Sequence, residues 1–398
     1  MEAARLGHAE VLTLLLTSGA SADLINFEGR TALYLAVNRQ QLQTVKVLLA
    51  FDCNADLGNA NGQTPLMLGV KLVLVDMTKL LLQASPKSVR AIDKEGDSML
   101  SIAAYNGQLE IVRLLLDFDI ALSSGGASTP LMLAASNGHM EILKLLLDKG
   151  ADVGERTWNG HTALTFAAES GQVEAVQALL KRKAQVNSHG SDPAPLACAV
   201  QRGHAEVVKL LLKHNADVNA NDTDGDPALH EAVYSESTEC ARVLIHSKSS
   251  VSIALDKQNN SQWTPLMAAA QRDLVEIVAL LLQNKASTHT RTRDGRSALH
   301  IAAEEGKVDV VCLLLQHGAQ VNAITKANWT PLMLAAYRGH RETVKILVEC
   351  GSSLTWKNKE DQNAATVAML NSRTDILDLL RTEDPEVTNS NSKRRRTH

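Results

Sequence analysis

Four histidines of this 398-residue chain, His8, His139, His204 and His340, each stand directly after a glycine. Imidazole is the side chain best suited to proton transfer near neutral pH. Catalysis by such a residue needs a nucleophile or carboxylate held in fixed partnership, but here the same local context simply recurs along the chain. That recurrence points to one structural role between helices. Five cysteines (Cys53, Cys198, Cys240, Cys312 and Cys350) lie far apart with no CxxC pair. This pattern fits reduced, packed thiols rather than a metal site or a disulfide framework. No phosphate-binding loop, H-E-x-x-H zinc pair or G-x-S-x-G elbow occurs. Asp222-Thr223-Asp224-Gly225-Asp226 lacks the spaced glutamate of an EF-hand loop and reads as an Asp/Gly turn. The expectation is a non-enzyme with no cofactor and no metal.

The residues suited to a different chemistry are the scarce aromatics. Phe, Trp and Tyr make up only 3% of the chain, with four Trp and four Tyr. Trp, Tyr and Arg are the types enriched where proteins bind one another. Trp263, Arg296 and Trp329 follow one another at intervals of 33 residues. Arg272, Tyr337 and Arg338 belong to a second recurring position, with Tyr234 and Tyr105, and Arg293 stands just before Arg296. Trp158, His161, Arg39, Arg202 and Trp356 fall at comparable places. Three of the four tyrosines thus occupy one repeat position.

That statement presupposes a repeat, and the helix starts supply it. TAL, TPL, SML, APL, PAL or SAL begin at 31, 64, 98, 129, 162, 194, 227, 264, 297 and 330, and a degenerate NAA begins at 363. The successive intervals are 33, 34, 31, 33, 32, 33, 37, 33, 33 and 33. With the opening EAARLGH, twelve units result. Each spells a helix, a turn and a second helix. In TPLMLAAYRGH, Thr330 suits an N-cap and Pro331 the first helical position. Leu332 and Leu334 fill a layer, Ala335-Ala336 permit close approach, and Gly339 suits a left-handed helix end. In the second helix, RETVKILVE, apolar residues recur at spacings of three and four. Thin layers of Leu, Val and Ala explain how a chain 45% apolar manages with few aromatics.

The period and the TPLH-like starts resemble the ankyrin repeat family, most plainly in TPLMLAASNGHMEILKLLLDKGADV (Thr129 to Val153) and SALHIAAEEGKVDVVCLLLQHGAQVN (Ser297 to Asn322). The resemblance covers Glu2 to Arg381. It implies an all-α solenoid of stacked antiparallel helix pairs, with projecting β-hairpin fingers and a concave binding groove. It also implies that the aromatic and arginine positions named above line that groove, so that Trp158, Tyr234, Trp263, Arg272, Arg293, Arg296, Trp329, Tyr337 and Arg338 become the candidate partner-binding residues. Family members are substrates of asparaginyl hydroxylation, which marks Asn219 and Asn322, although both also suit the turn they occupy. Three departures stand out. The family's His after TPL occurs only at His230 and His300, with Met67, Met132, Met267 and Met333 elsewhere, where packing is expected to replace its hydrogen bond. The third unit, LGVKLVLVDMTKLLL, has no glycine turn. The interval of 37 suggests a longer finger within LDKQNNSQ.

After Arg381 the pattern stops, so the array is assigned to 1–381 and a disordered tail to 382–398. The tail ends in Lys393, Arg394, Arg395 and Arg396, which read either as a nuclear import signal or as a solvated basic end. The start, MEAARLGHAE, lacks the apolar core of a signal peptide, and the longest apolar run, near Val70–Val75, is too short to span a bilayer. A cytoplasmic or nuclear, monomeric chain is expected. The leading functional expectation is a scaffold binding a protein segment that carries acidic and apolar residues, without membrane or nucleic-acid partners. The alternatives are an adaptor or substrate-receptor subunit of a ubiquitin ligase or phosphatase assembly, or a nuclear transcriptional cofactor.

Overall fold

The computed structural model describes residues 1–92, 96–118, 120–123, 128–188, 192–219, 221, 226–247 and 253–382. Among these residues, 24 α-helices follow one another as twelve pairs, with one short 3₁₀ turn at Pro86–Arg90. The chain forms two compact units, Met1–Pro195 and Leu196–His398, divided at the first residue of the helix Pro195–Gln201. The basic tail with Lys393 to Arg396, and most of the Asp222–Asp226 turn, lie outside the described residues.

The inner helix of each pair is too short to persist alone in water and is fixed at both ends. In Pro331–Arg338 the Met333 amide donates to Thr330 Oγ1 at 3.2 Å, proline occupies the first turn, and Gly339 ends the helix at φ 87°. The same threonine cap recurs at Thr31, Thr64, Thr129, Thr162 and Thr264. Pro331 through Ala336 are all buried, so an inner helix is covered nearly all round and only its last turn reaches the surface. The outer helix Arg341–Glu349 buries just Thr343, Val344 and Leu347, one stripe facing its partner. Inner helices pack on the inner helices of adjacent pairs, and outer helices on outer ones. Each layer therefore finishes the core of its neighbour.

The fingers are tight turns more than β-ribbons. Isolated bridges occur at Ile92–Ser98 and Asn221–Pro227. The longer interval before Thr264 does not lengthen a finger: Asn259–Trp263 closes with the same bonds as the others, as shown below. Asp256 also accepts from the Ser287 amide as Asp23 does from Asn54. The extra residues lie ahead of Ala254, where the Ala254 amide already meets Asn219 in regular register.

Inner-helix carbonyls are satisfied by the next layer. His139 Nε2 meets the Tyr105 carbonyl at 3.0 Å, Gln172 Nε2 donates to the Ser136 carbonyl at 3.2 Å, and His340 Nε2 meets the Glu304 carbonyl at 2.9 Å. For His139 and His340 this is the structural role expected of the recurrent histidines. The approach requires glycine in the layer before: a Cβ at Gly306 would sit 2.5 Å from His340 Nδ1, and one at Gly107 2.7 Å from His139 Cε1. The third layer has Val73 at that turn, at φ 61°, a conformation that a β-branched residue strongly disfavours. Gln108, one layer on, is buried with both amide atoms bonded to no described residue. Val73→Gly is expected to relieve the backbone strain and open the approach to Gln108, stabilising the protein by about 1–2 kcal/mol. Chemical denaturation of the variant beside the parent measures this; a lower midpoint would contradict it.

Candidate protein-interaction face

In seven repeats the residue before the helix cap has its backbone amide and carbonyl engaged and its side chain left over. In the second unit the amides of Asn259, Thr292, Thr325 and Asn358 donate to the carbonyls of Trp263, Arg296, Trp329 and Gln362 at 2.9–3.0 Å. In return, the Trp263, Arg296, Trp329 and Gln362 amides donate to the side-chain oxygens of Asn259, Thr292, Thr325 and Asn358, at 3.0, 3.2, 3.1 and 2.9 Å. Asn26–Arg30, Asn59–Gln63 and Thr157–His161 close in the same way in the first unit. Fingertips are then tied to each other, Lys326 N to the Asp294 carbonyl at 3.0 Å and Lys359 N to that of Ala327 at 3.2 Å.

The TPLH-position residue adds a further tie. His300 Nε2 donates to the Trp329 carbonyl at 3.2 Å, while its Nδ1 accepts from the Ser297 amide at 3.2 Å and lies 2.9 Å from Ser297 Oγ. His230 Nε2 meets the Trp263 carbonyl at 2.8 Å. At two of the four methionines that replace histidine, packing is joined by a weak sulfur contact: the Thr330 amide lies 3.5 Å from Met333 Sδ, and the Thr129 amide 3.4 Å from Met132 Sδ. The two tryptophans are thus anchored through their carbonyls, and their half-buried rings lie on the finger bases.

Among the anticipated residues, four form one array. Trp329 meets Tyr337 edge-on with ring centroids 5.8 Å apart and planes at 88°. The Arg338 guanidinium lies 5.7 Å from the Tyr337 ring centroid, and its Nη2 bonds Glu304 Oε1 at 2.8 Å. Arg296 Nη1 bonds the other oxygen of that carboxylate, also at 2.8 Å. Arg296 therefore engages a carboxylate of its own chain. The hydrogen bond to Glu304 also raises the Arg338 pKa. Glu304, whose side chain is 13% exposed, is the hub that singling out Trp, Tyr and Arg overlooked. Its signal was positional, since it occupies the repeat position of Tyr337.

A second cluster lies in the same unit. Arg272 sits 5.3 Å from the Tyr234 ring centroid and 3.9 Å from Glu236, and Asn259 Nδ2 donates to Tyr234 Oη at 3.2 Å. Burial, aided by Asp226, raises the Tyr234 pKa. Arg293 is exposed on its fingertip and pairs with no side chain among the described residues. Trp158 belongs to the first unit and is 84% exposed. Asn322 accepts from the Ser353 amide at 2.8 Å and donates to the Gly351 carbonyl, so its amide, like that of Asn219, clasps the next turn.

Burial raises the thiol pKa values of Cys53, to about 12, and of Cys240 and Cys312. Of the five free cysteines only Cys240 is fully buried and Cys350 is exposed, so they are less uniformly packed than expected. Among the described residues, no group of His, Cys, Asp and Glu could hold a metal, and no helix is long and apolar enough to cross a membrane.

Stacked helix pairs with backbone-locked fingers and variable side chains define a repeat-built interaction module. The chain belongs to the ankyrin repeat family: a profile of three ankyrin repeats matches residues 1–93, 100–190, 187–254, 251–325 and 323–391. Such repeats are generally protein–protein interaction modules. No curated protein matches the chain in sequence. Among solved structures it is similar to the ankyrin repeat domain of Bcl-3, a unique member of the IkappaB protein family, at 31% identity and TM-score 0.51. That match covers 56% of this chain and 99% of the Bcl-3 domain. It is also similar to the human ASB11 ankyrin repeat domain, at 25% identity and TM-score 0.49, covering 56% of this chain and 98% of that one.

The His300 tie is pH-sensitive. Burial is the main cause that lowers its pKa from an ordinary 6.5 to about 4. The unfolded chain therefore takes up this proton at a higher pH than the folded one. The stability contributed by neutral His300 is complete above about 6.5 and is lost as pH falls toward 4, up to about 3 kcal/mol. His300→Met, matching the other layers, is expected to flatten that part of the stability–pH curve. Denaturation midpoints between pH 7 and pH 4 check this, and an unchanged slope would count against it.

Proposed function

We propose that this chain is a non-enzymatic scaffold whose second unit binds a partner polypeptide across its finger bases and inner-helix ends. The observation that supports the reading is the array Trp329–Tyr337–Arg338–Glu304–Arg296. Two guanidiniums share one carboxylate, which leaves the trio one net positive charge beside two half-exposed aromatic rings. Arg293 on the adjoining fingertip adds another. Such a surface suits a segment with an apolar side chain to lie on Trp329 and a carboxylate to engage the guanidinium edges not facing Glu304. Because the supporting backbone is held by hydrogen bonds before any partner arrives, little ordering entropy opposes association.

The Trp329 ring and the Arg296 guanidinium are peripheral to the layer core, so their removal bears on binding more than on folding. Trp329→Ala and Arg296→Ala are each expected to leave the melting temperature within a few degrees of the parent. Each is also expected to weaken capture of the parent's protein partner by about tenfold or more. Quantitative affinity capture by the parent and both variants, with thermal melts of all three, provides the comparison. Undiminished capture by the folded variants would remove this face as the binding site.

A further inference from the structure

Serine or threonine stands directly before proline at five places: Thr64, Ser85, Thr129, Thr264 and Thr330. At the four threonines the pair is the start of an inner helix. These threonines are 1–5% exposed, and each hydroxyl accepts a helix amide at 3.2–3.3 Å. Their prolines, Pro65, Pro130, Pro265 and Pro331, are buried as well. While the layers are stacked, no modifying enzyme reaches these hydroxyls.

Ser85 is placed differently. It closes the outer helix Val75–Ala84 and opens the 3₁₀ turn Pro86–Arg90. The residue is half-buried, and Pro86 and Lys87 are exposed. Its backbone, at φ −139° and ψ 79°, lies clear of the helical region that a following proline disfavours. An acceptor hydroxyl, a proline directly after it and a cation beyond are what a proline-directed protein kinase reads. Burial thus reduces five sequence matches to one, Ser85-Pro86-Lys87.

The Ser85 hydroxyl also carries an interlayer tie. Ser85 Oγ and Ser88 Oγ both donate to the Asp56 carboxylate of the preceding layer. Elsewhere an aspartate in this role holds a backbone amide, Asp23 that of Asn54 at 2.8 Å and Asp256 that of Ser287 at 2.7 Å. At this point the second and third layers are joined through side-chain hydroxyls instead. Asp56 is exposed, so the Ser85 bond can open without uncovering the core. A phosphate on Ser85 carries about −1.5 to −2 charges at pH 7, and it replaces a donor to Asp56 with an anion facing it. The third layer already holds Val73 at a disfavoured positive φ.

We propose that Ser85 is a phosphorylation site for a proline-directed protein kinase, and that the phosphate breaks the Asp56 tie and loosens the third layer. In the transfer the Ser85 hydroxyl attacks the γ-phosphorus of ATP. The bond to ADP breaks, and the hydroxyl proton passes to the kinase's catalytic base.

The test incubates the folded full chain with a purified mitogen-activated or cyclin-dependent protein kinase and magnesium ATP, and maps phosphate by peptide mass spectrometry. Ser85 should be labelled, while Thr64, Thr129, Thr264 and Thr330 stay unmodified. Pro86→Ala should slow incorporation at Ser85 by about tenfold or more, and Ser85→Ala should abolish it. The phosphorylated chain should melt about 2 °C or more below the unmodified one. Asp56→Asn should remove most of that difference, because the facing charge is gone. No phosphate at Ser85, undiminished labelling of Pro86→Ala, or equal labelling of the four threonines would overturn the site. An unchanged or higher midpoint after phosphorylation would overturn the release of the tie. The Arg296–Trp329 face takes no part in either readout, so the result is independent of whether that face binds a partner.

Discussion

The last turn of an inner helix ends in carbonyls that its own hydrogen bonds cannot reach, and the adjacent layer supplies the donor. His139, Gln172 and His340 do this for Tyr105, Ser136 and Glu304. The donor must come within contact distance of the preceding turn, which is why glycine stands at 107, 138 and 306. This contact couples polar satisfaction to apolar layering, so helix pairs that could not persist alone are held in a fixed register. Where the turn carries Val73 instead, the donor one layer on, Gln108, is left buried and unpaired by any described residue. The same contact orders these three layers and marks a weak point at Val73.

Once the backbone is closed in this way, function is left to side chains that have no structural duty. The finger-base residue has its amide and carbonyl engaged within the turn, and twice more through His230 or His300. Its side chain varies freely among Trp, Arg, His and Gln. Together with the end of the inner helix, these positions form a surface whose geometry is fixed and whose chemistry is interchangeable. In the second unit they make a cationic aromatic face organised by Glu304. In the first they place Trp158, His161, Phe166 and Glu169 along one cavity. The twelve pairs thus present different chemistry on a common frame.

Much of this was legible from local pattern. Threonine caps, the proline at the first helical position and the closing glycine are short-range signals, and each acts in the structure as its chemistry suggests at Thr330, Pro331 and Gly339. The repeat position of Trp329, Tyr337 and Arg338 was likewise readable, because it is where the pattern makes no demand. The insertion before Thr264 was misplaced. Spacing shows that residues were added, but only the Asn219–Ala254 and Asp256–Ser287 bonds show on which side of the register they fall. The sulfur contacts of Met132 and Met333 escaped notice because methionine is ordinarily read as apolar filler.

By itself, the sequence determined the family, the period, the caps and the unconstrained positions, since all of these follow from interactions within one unit or from identity between units. Pairing across layers was decided only by the tertiary structure. Arg296 and Arg338 are 42 residues apart in sequence, yet both close on Glu304. That choice decides which edges of the two guanidiniums remain open on the face. A repeat pattern places side chains on a common surface but does not state which rotamers meet there. Those meetings depend on side-chain reach and competition among charges, which are properties of neighbouring layers in space.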